Sequence, residues 1–505
     1  MTLQAAAGEA ATEPVSTVVV VVIGLYLALS LFVGMRAGGK TTDSAAGYVA
    51  GDRTLGTVMM YFITGATIFS AFAFLGAPGR AYDRGASVFY ILAFGTLGFV
   101  PFYFVGPRAA QLGRKFGFVT QGEMIEHRFR LPALAGVLAL VSTLAFVPYL
   151  GIQMKGAGYI LSAATNGALS QEVGAAITYA VVLTYVLSSG VLGVGWTNTL
   201  QGVFMMVLAW ALGLTLPNLL YDGVGEMFRR IAEERPDHLR VPGFTRGGEQ
   251  PWTLSEFHST ILVSMIGFSF WPHLFMKAFT AKSDATLRRT VMLYPTFQLF
   301  LVPLLIVGFA GVLFSSAPAS PDQILPHMLL NTPEIPAVVV GLFCAGALAA
   351  SMSSGDAIAH ACASILVRDG VVRTFGVDLS ASRERFWIRF AVVGVVVAGY
   401  CIAVFAESAL DVLLIYAYGP VVQFAPVALA TLYWRRATGP GVLAGVLCGI
   451  AVNGLMLIDG GSLRPFAVHA GLYGLVANVI ALVVVSKWTA GRADRTDAFF
   501  ESDPR

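Results

Sequence analysis

The chain has 505 residues, of which 56% are hydrophobic and only 12% are charged, and its formal net charge is +3. Soluble domains carry about 25% charged residues, so this chain lacks the polar side chains that would cover a water-soluble globule. The small net charge and the lack of a concentrated basic stripe argue against a nucleic-acid partner. We therefore expect most of the chain to lie in a lipid bilayer.

The N-terminal segment predicts a membrane span that is retained rather than a cleaved signal. Residues 1–15 contain Glu9 and Glu13 but no lysine or arginine, whereas a signal peptide begins with a positively charged region. The first basic residues, Arg36 and Lys40, follow the first apolar run. This order predicts that the N-terminus lies outside.

Windows of about twenty apolar residues, the length that crosses a bilayer, predict thirteen spans in an all-α integral membrane protein. In chain order the predicted spans are 16–36, 56–78, 86–110, 132–165, 172–194, 197–220, 257–278, 290–316, 335–366, 386–406, 409–434, 440–458 and 466–487. With the N-terminus outside, the inside segments carry 23 of the 32 lysines and arginines, the outside segments carry 8, and Lys155 falls within a span. The positive-inside rule then predicts a multi-pass protein of a bacterial-type inner (plasma) membrane, with its C-terminus in the cytoplasm.

The parts outside the predicted spans are short. The outside loop 221–256 predicts one amphipathic surface helix, and 488–505 predicts a polar cytoplasmic tail. No glycine-rich phosphate loop followed by Lys-Ser/Thr is present, which argues against a nucleotide partner and direct ATP-driven transport. The four cysteines lie singly, and no nucleophile–base pair is visible, so we expect neither an enzyme nor a cofactor.

The second predicted span is rich in residues that interrupt a helix. Hydroxyl, glycine and proline residues cluster in it, at Thr64, Gly65, Thr67, Ser70, Gly76, Pro78 and Gly79. Such a helix can unwind within the membrane and leave backbone carbonyls free to bind a cation. The same small residues also suit a face on which helices pack closely, so both interpretations stay open.

The ninth span contains an unusual group of oxygen atoms, from Ser351, Ser353, Ser354 and Asp356. A serine in a helix often bonds only the carbonyl four residues back, and Asp356 also suits an interface position near the cytoplasmic end. Three serines and a carboxylate within six residues nevertheless favour a site for a hard monovalent cation.

The seventh span is interrupted at Trp271, Pro272 and His273, which offer a ligand an aromatic face and a hydrogen-bond donor. The alternative is a proline kink beside an interfacial tryptophan, since Lys277 and Lys282 indicate that the cytoplasmic face is near.

The fourth span contains two polar residues, Gln153 and Lys155. A buried ammonium is costly unless it is paired or reaches the interface. Lys155 could bind a substrate carboxylate, extend to the outer interface or pair with an acid of the protein.

Six short motifs lie along almost the whole length of the chain, at 47–53, 69–79, 120–129, 196–201, 350–356 and 433–436, the last followed by Gly439 and Gly445. Together they resemble the sodium/solute symporter family. The first motif is similar to the family's cytoplasmic YFLAGR segment, and the second resembles its first broken helix. Each motif alone is weak, but six of them in the family's order are specific.

The resemblance implies a single transporter domain with a LeuT-like core of two five-helix inverted repeats. The repeats would be spans 2–6, about 56–220, and spans 7–11, about 257–434, with spans 1, 12 and 13 peripheral. The family's sodium site, matched residue by residue, would use the backbone carbonyls of Ala66, Phe69 and Ala350 and the hydroxyls of Ser353 and Ser354.

One position departs from the family pattern. Members with a second sodium site carry aspartate after Trp-Thr in the fifth core span, and this chain has Asn198 there. An amide can coordinate an ion, but the loss of the carboxylate predicts one sodium per substrate.

The stretch 271–277 most resembles the branch that carries monocarboxylates such as lactate, pyruvate, acetate and propionate. The resemblance therefore implies sodium-coupled import of such a solute by alternating access. From helix position alone, the predicted substrate-binding residues are Ile68, Phe72, Gln153, Lys155, Trp271, His273, Tyr418 and Gln423.

Two alternatives remain. The first is a symporter for an amino acid or pantothenate, or one that is driven by protons. The second is a membrane sensor input module. The sequence shows no attached signalling domain, which argues against this alternative.

Overall fold

The protein is helical throughout the part of the chain that the computed structural model describes, which is residues 16–37, 44–244, 252–405, 417–458, 462–489 and 499–500. In the first half, the helices are α1 (Thr17–Arg36), α2 (Ala45–Ala50), α3 (Thr57–Ile68), α4 (Ala77–Arg84), α5 (Tyr90–Gly98), α6 (Phe102–Phe116), α7 (Gln121–Phe129), α8 (Pro132–Ala164), α9 (Gln171–Tyr221) and α10 (Val224–Glu234).

The described part of the second half of the chain is also helical. Its helices are α11 (Leu254–Phe268), α12 (Pro272–Phe275), α13 (Lys277–Thr280), α14 (Asp284–Gln298), α15 (Leu301–Val312), α16 (Ile324–Leu330), α17 (Ala337–Ile365), α18 (Ala381–Phe405), α19 (Phe424–Tyr433), α20 (Gly439–Leu455) and α21 (Ala470–Trp488). Helix α17 lies at the centre, because it packs against α1, α3, α8, α9 and α18 and almost every side chain from Phe343 onward is buried. The fold therefore places the predicted ion-binding serines in the middle of the protein.

Several helices have the dimensions of membrane spans. Within the described residues, seven are long and apolar enough to cross a bilayer, and the bent pair Thr57–Ile68 and Phe72–Gly98 makes eight. Predicted spans 3 and 7 are cut into shorter helices by breaks, and predicted span 12 is a single helix of 17 residues, α20. Helix α9, with 51 residues, covers predicted spans 5 and 6. The count of thirteen, the repeat boundaries and the orientation stay predictions. Residues 1–15, with Glu9 and Glu13, lie outside the described residues, as do 245–251 of the outside loop, the start of span 11 and most of the tail.

Helix α9 is interrupted at Gly190, four residues before the predicted end of span 5. Gly190 has φ 56° and ψ −149°, a backbone conformation that is open almost only to glycine. A Cβ atom at this position would lie 2.6 Å from both the ring and the carbonyl oxygen of Tyr48. The glycine thus permits both the kink and the close approach of Tyr48.

Replacing Gly190 with alanine is expected to lower the free energy of unfolding by about 2–5 kcal/mol, because it adds backbone strain to overpacking. The thermal unfolding of the purified protein in detergent measures this. Gly24→Ala is the matched control, since a Cβ atom on Gly24 would have no neighbour within 4 Å. Equal unfolding temperatures for the two variants would contradict the expectation.

The predicted amphipathic surface helix in the loop 221–256 is present as α10. It buries Met227 and Ile231 and exposes ion pairs of Arg229 with its neighbouring glutamates, such as the 2.6 Å pair with Glu233. The chain after α10 then returns to the protein at His238, whose side chain is buried. The described part of this loop is therefore packed onto the helical core.

His238 fixes the loop to α4. Its Nε2–H donates to the carbonyl of Ala81 over 2.8 Å, and its ring packs edge-on against Phe309. Burial, together with the positive charge of Arg235, lowers the pKa of His238 below its usual value of 6.5, although the Ala81 carbonyl and Asp83 oppose the shift.

Because the docked loop favours the neutral imidazole, docking is expected to be strongest above pH 6.5 and to weaken as the pH falls below it. Limited proteolysis of the loop at pH 7.5 and 5.5 tests this, with faster cleavage expected at pH 5.5. The His238→Gln variant keeps a hydrogen-bond donor but does not titrate, so its cleavage should change little with pH. Equal acid sensitivity in the variant would show that another group is responsible.

Candidate functional site

The predicted interruption of span 2 is present. Helix α3 ends at Ile68, where Phe69 (φ −85°, ψ 86°) leaves the helical conformation, and the helix resumes at Phe72 with a bend of 60°. The N–H of Ala71 within the break donates to Oε1 of Gln153 on α8 over 2.8 Å. A buried backbone N–H needs such a partner, so Gln153 stabilises the break.

The serines of α17 meet the end of α3 at this break. The hydroxyl of Ser353 donates to the carbonyl of Ala66 over 2.9 Å. The same hydroxyl lies 3.2 Å from the carbonyl oxygen of Ala350. The hydroxyl of Ser354 donates to the carbonyl of Thr67 over 2.8 Å. Four of the five predicted sodium ligands therefore lie together in a buried oxygen cluster, and the fifth, Phe69, is the first residue of the break.

Thr67 was not among the predicted ligands, although its carbonyl is part of this cluster. Its hydroxyl accepts a hydrogen bond from Nδ2 of Asn198 over 3.2 Å, and the same amide donates to the carbonyl of Ser353 over 3.0 Å. Asn198 is thus connected to both helices that form the cluster. The only sequence signal for Thr67 was its place beside Ala66 in a threonine- and glycine-rich segment.

The interruption predicted in span 7 is also present. Helix α11 ends at Phe268, and Trp271 adopts an extended conformation (ψ 124°) before Pro272 begins α12. A cavity lies between this break and the break in span 2, and 17 of the described residues line it. Five of the predicted substrate residues are among them, namely Ile68, Phe72, Trp271, His273 and Tyr418.

The wall of the cavity is aromatic with a few polar groups. Among the residues that the structure describes, no lysine, arginine, aspartate or glutamate lines it, and the polar side chains that do are Ser70, Tyr149, His273, Tyr294, Gln298 and Tyr418. The ring of His273 lies 5.3 Å from that of Phe146 and 5.5 Å from that of Trp271. Its Nδ1 has no hydrogen-bond partner among the described residues. Such a cavity suits a small solute with one polar end.

Three predicted substrate residues lie elsewhere. Gln153 is next to the cavity but its side-chain oxygen is used by Ala71. Lys155 lines a different pocket, together with Tyr159 and Glu172. The structure also does not bring Gln423 to the cavity, because its amide donates to the carbonyl of Gly471 at the start of α21.

Other cavity residues were missed by the sequence analysis. Tyr149 and Phe94 belong to spans 4 and 3, and Tyr294 and Gln298 to span 8. These residues are aromatic or polar within apolar helices. Pro148 and Pro295 stand beside two of them but lie inside continuous helices, so no helix break marks these residues as cavity-lining. Their exposure to the cavity depends on how each helix is rotated, which one sequence does not reveal.

The described residues show no group of three or more histidine, cysteine, aspartate or glutamate side chains that could bind a metal ion. Cys344 and Cys362 are buried and unpaired, and Cys401 and Cys448 are exposed. The oxygen cluster at Ser353 is thus made of carbonyls and hydroxyls, the ligands of hard cations.

Comparison with known proteins decides the family. The model of the sodium:solute symporter family matches residues 48–449, most of the chain. The chain belongs to the sodium:solute symporter family. Family membership makes it a transporter rather than an enzyme, and a multi-pass membrane protein.

Individual members of the family differ in what they carry. The chain is 25% identical to the monocarboxylate transport permease protein of Rhizobium johnstonii, over 88% of this chain and 90% of the relative. It is also 25% identical to the osmoregulated proline transporter OpuE of Bacillus subtilis, over 93% and 95% of the two chains. Both are distant, so this symporter shares a family with them rather than a demonstrated substrate.

The fold agrees with this assignment. A Na⁺-coupled sialic acid symporter, solved in a substrate-bound outward-open state, matches with a TM-score of 0.76 at 19% identity, over 94% of this chain and 98% of the solved one. The predicted LeuT-like membrane fold is thereby confirmed.

Proposed function

We propose that this symporter couples the import of a small monocarboxylate, such as lactate, pyruvate, acetate or propionate, to one sodium ion by alternating access. The observation that carries the proposal is the contact of Ser353 and Ser354 with the carbonyls of Ala66 and Thr67, beside a cavity formed by two broken spans. Sodium would be bound by Ala66, Phe69, Ala350, Ser353 and Ser354, with Thr67 as a further carbonyl.

The coupling follows from the place of the ion site. Sodium would link α17 to the break in span 2, and the cavity is lined by Ser70 within this break and by Phe72 directly after it. An ion that favours one position of α17 relative to the break therefore also favours one shape of the cavity. Such a difference in affinity between states is what a ligand can use to shift an equilibrium.

The choice of substrate rests on two observations. His273 lines the aromatic wall of the cavity, where its imidazole can donate a hydrogen bond to one carboxylate oxygen, and a monocarboxylate permease is among the relatives. Lactate, pyruvate, acetate and propionate all combine one carboxylate with a short apolar group. The amino-acid alternative is supported by the proline transporter among the relatives.

Uptake of labelled pyruvate into proteoliposomes tests the proposal. An inward sodium gradient should drive accumulation, and unlabelled lactate or propionate should block it. Replacement of sodium by potassium should abolish it, and a protonophore should leave it intact. Block by proline instead would favour the amino-acid alternative, and accumulation driven only by a pH gradient would contradict the sodium site.

A further inference from the structure

The C-terminal tail carries a pair of phenylalanines that is buried against the helical core. Phe499 and Phe500 are the only aromatic residues between Thr489 and Arg505, and only 1% and 8% of their surfaces are exposed. Two apolar rings in an otherwise polar segment leave water only where the protein offers them a matching surface. The tail, which the sequence analysis predicted only as polar, is therefore attached to the protein at this pair.

Phe499 completes a cluster of aromatic rings at the end of α6. Its ring stacks on that of Phe116, with 5.7 Å between the ring centroids. It also lies 6.3 Å from the ring of Phe118 and 6.1 Å from that of His127 on α7. The three receiving rings contact one another as well. Aromatic pairs at these separations attract each other beyond the effect of buried area, so Phe499 ties the tail to α6 and α7.

Phe500 lies among three arginines that come from three different parts of the chain. Their guanidinium carbons are 5.3, 5.2 and 4.9 Å from the centre of its ring, and they belong to Arg108 on α6, Arg128 on α7 and Arg435 just after α19. A guanidinium within about 6 Å of an aromatic ring is attracted by the negative face of that ring. One side chain of the tail thus contacts helices from both halves of the chain.

The contact of Phe500 covers a junction between α7 and α19. The guanidinium of Arg128 donates to the carbonyls of Thr431 and Trp434 over 2.6 Å each, and it also donates to that of Ala430. These carbonyls lie in the last turn of α19, where carbonyls lack partners within the helix. Phe500 therefore packs on the side chain that joins α7 to α19.

The joined helices continue into the wall of the substrate cavity. Helix α5, directly before α6, contributes Phe94, and the segment directly before α19 contributes Tyr418. The ends of α6 and α19 that the tail contacts lie on the side of the membrane predicted to be the cytoplasm. A displacement of these two ends relative to each other would change the cavity wall and would break the contacts of Phe500.

We propose that Phe499 and Phe500 form a tail latch, which holds the ends of α6, α7 and α19 together and slows the opening of the cavity toward the side on which the tail lies. The latch must release before these ends can separate, because Phe500 contacts a residue at each of them. Opening steps of this kind set many turnover rates. The proposal goes beyond the proposed function, since it holds for whichever solute the symporter carries.

The test breaks the latch from either side. Phe500→Ala removes the ring, Arg435→Gln removes one of the three positive charges, and a double variant removes both. Arg436→Gln is the matched control, because it makes the same change at the next residue. Arg436 is exposed like Arg435, but it is not among the three arginines that surround Phe500.

Two measurements are made on each variant. The first is the initial rate of sodium-driven uptake into proteoliposomes, with pyruvate as the solute, or with proline if the wild type carries proline instead. The second is the docking of the tail, measured as the rate at which chymotrypsin cleaves after Phe499 or Phe500 and followed by the intact mass of the purified protein. Cleavage reports the population of undocked tail when docking is fast relative to cleavage.

Arg435→Gln is expected to raise the uptake rate about two- to fivefold, the change that corresponds to one cation–π contact, and to accelerate cleavage of the tail similarly. Phe500→Ala should raise the uptake rate on the order of tenfold, because it removes the contacts with all three arginines. The double variant should match Phe500→Ala, since Arg435 acts through that ring. Arg436→Gln should resemble the wild type in both measurements.

Three results would overturn the latch. They are an uptake rate that Phe500→Ala lowers or leaves unchanged, as a purely stabilising tail would give, tail cleavage that is no faster in Arg435→Gln than in Arg436→Gln, and a double variant that exceeds Phe500→Ala by the full factor of Arg435→Gln. A wild type that takes up neither solute would instead contradict the proposed function. The cleavage rates would then decide by themselves whether the tail is docked.

Discussion

Uptake by a Ser353→Ala/Ser354→Ala variant is expected to need at least about 100-fold more sodium for its half-maximal rate than uptake by the wild type. Each substitution removes a hydroxyl oxygen from the ion, and a contact with a charged group contributes about 1.5–3 kcal/mol. The maximal rate at saturating sodium should fall far less, because the cavity is unchanged. Initial rates of pyruvate uptake over a sodium series measure this effect.

The control for this variant is Ser364→Ala on the same helix. Ser364 is also fully buried, but its hydroxyl bonds only the carbonyl of His360 within α17. The Ser364→Ala variant therefore also loses a buried hydroxyl, but it leaves the contact between α17 and α3 unchanged. If the double variant kept the sodium dependence of the wild type, the oxygen cluster would not be the ion site.

A His273→Phe variant is expected to raise the KM for pyruvate by at least about tenfold, since a buried donor to a carboxylate is lost. Phenylalanine preserves the ring packing against Phe146 and Trp271, so the cavity should keep its shape. The sodium dependence of thermal stability should not change, because His273 is not part of the oxygen cluster. Uptake kinetics and thermal unfolding together separate these effects.

His258→Phe makes the same substitution outside the cavity. His258 is exposed on α11, and its ring forms a hydrogen bond with the carbonyl of Leu254. The KM of the His258→Phe variant for pyruvate should therefore equal that of the wild type. An unchanged KM in His273→Phe as well would mean that another group recognises the carboxylate. The hydroxyls of Tyr149 and Tyr418 in the cavity wall would be the next candidates.

The oxygen cluster and both helix breaks could be predicted from the sequence because their signals are local. Ser353, Ser354 and Pro272 are residues that an apolar helix rarely tolerates without a reason, so each is visible singly. The family motif then indicated which carbonyls of span 2 the serines would meet, and the contact with Ala66 agrees with it.

The cavity wall was predicted less well because it depends on helix rotation. Lys155 and Gln423 were chosen from their depth along a span, yet they point to another pocket and to α21, respectively. Gly190 was missed for a related reason: Gly190, Gly193 and Gly195 stand close together in one apolar run, and only the kink and the approach of Tyr48 distinguish Gly190 from the other two.

The hydrogen bonds of Gln153 limit how the break in span 2 can move. Its side chain accepts from Ala71 within the break, while its backbone carbonyl accepts from the hydroxyl of Ser351 on α17 over 2.7 Å. Ser351 in turn contacts the hydroxyl of Tyr179 on α9. Rewinding the break would leave a buried amide oxygen without its donor, at a cost of about 1–3 kcal/mol. The unwound segment should therefore keep its shape through the transport cycle, and access should alternate by displacement of whole helices around it.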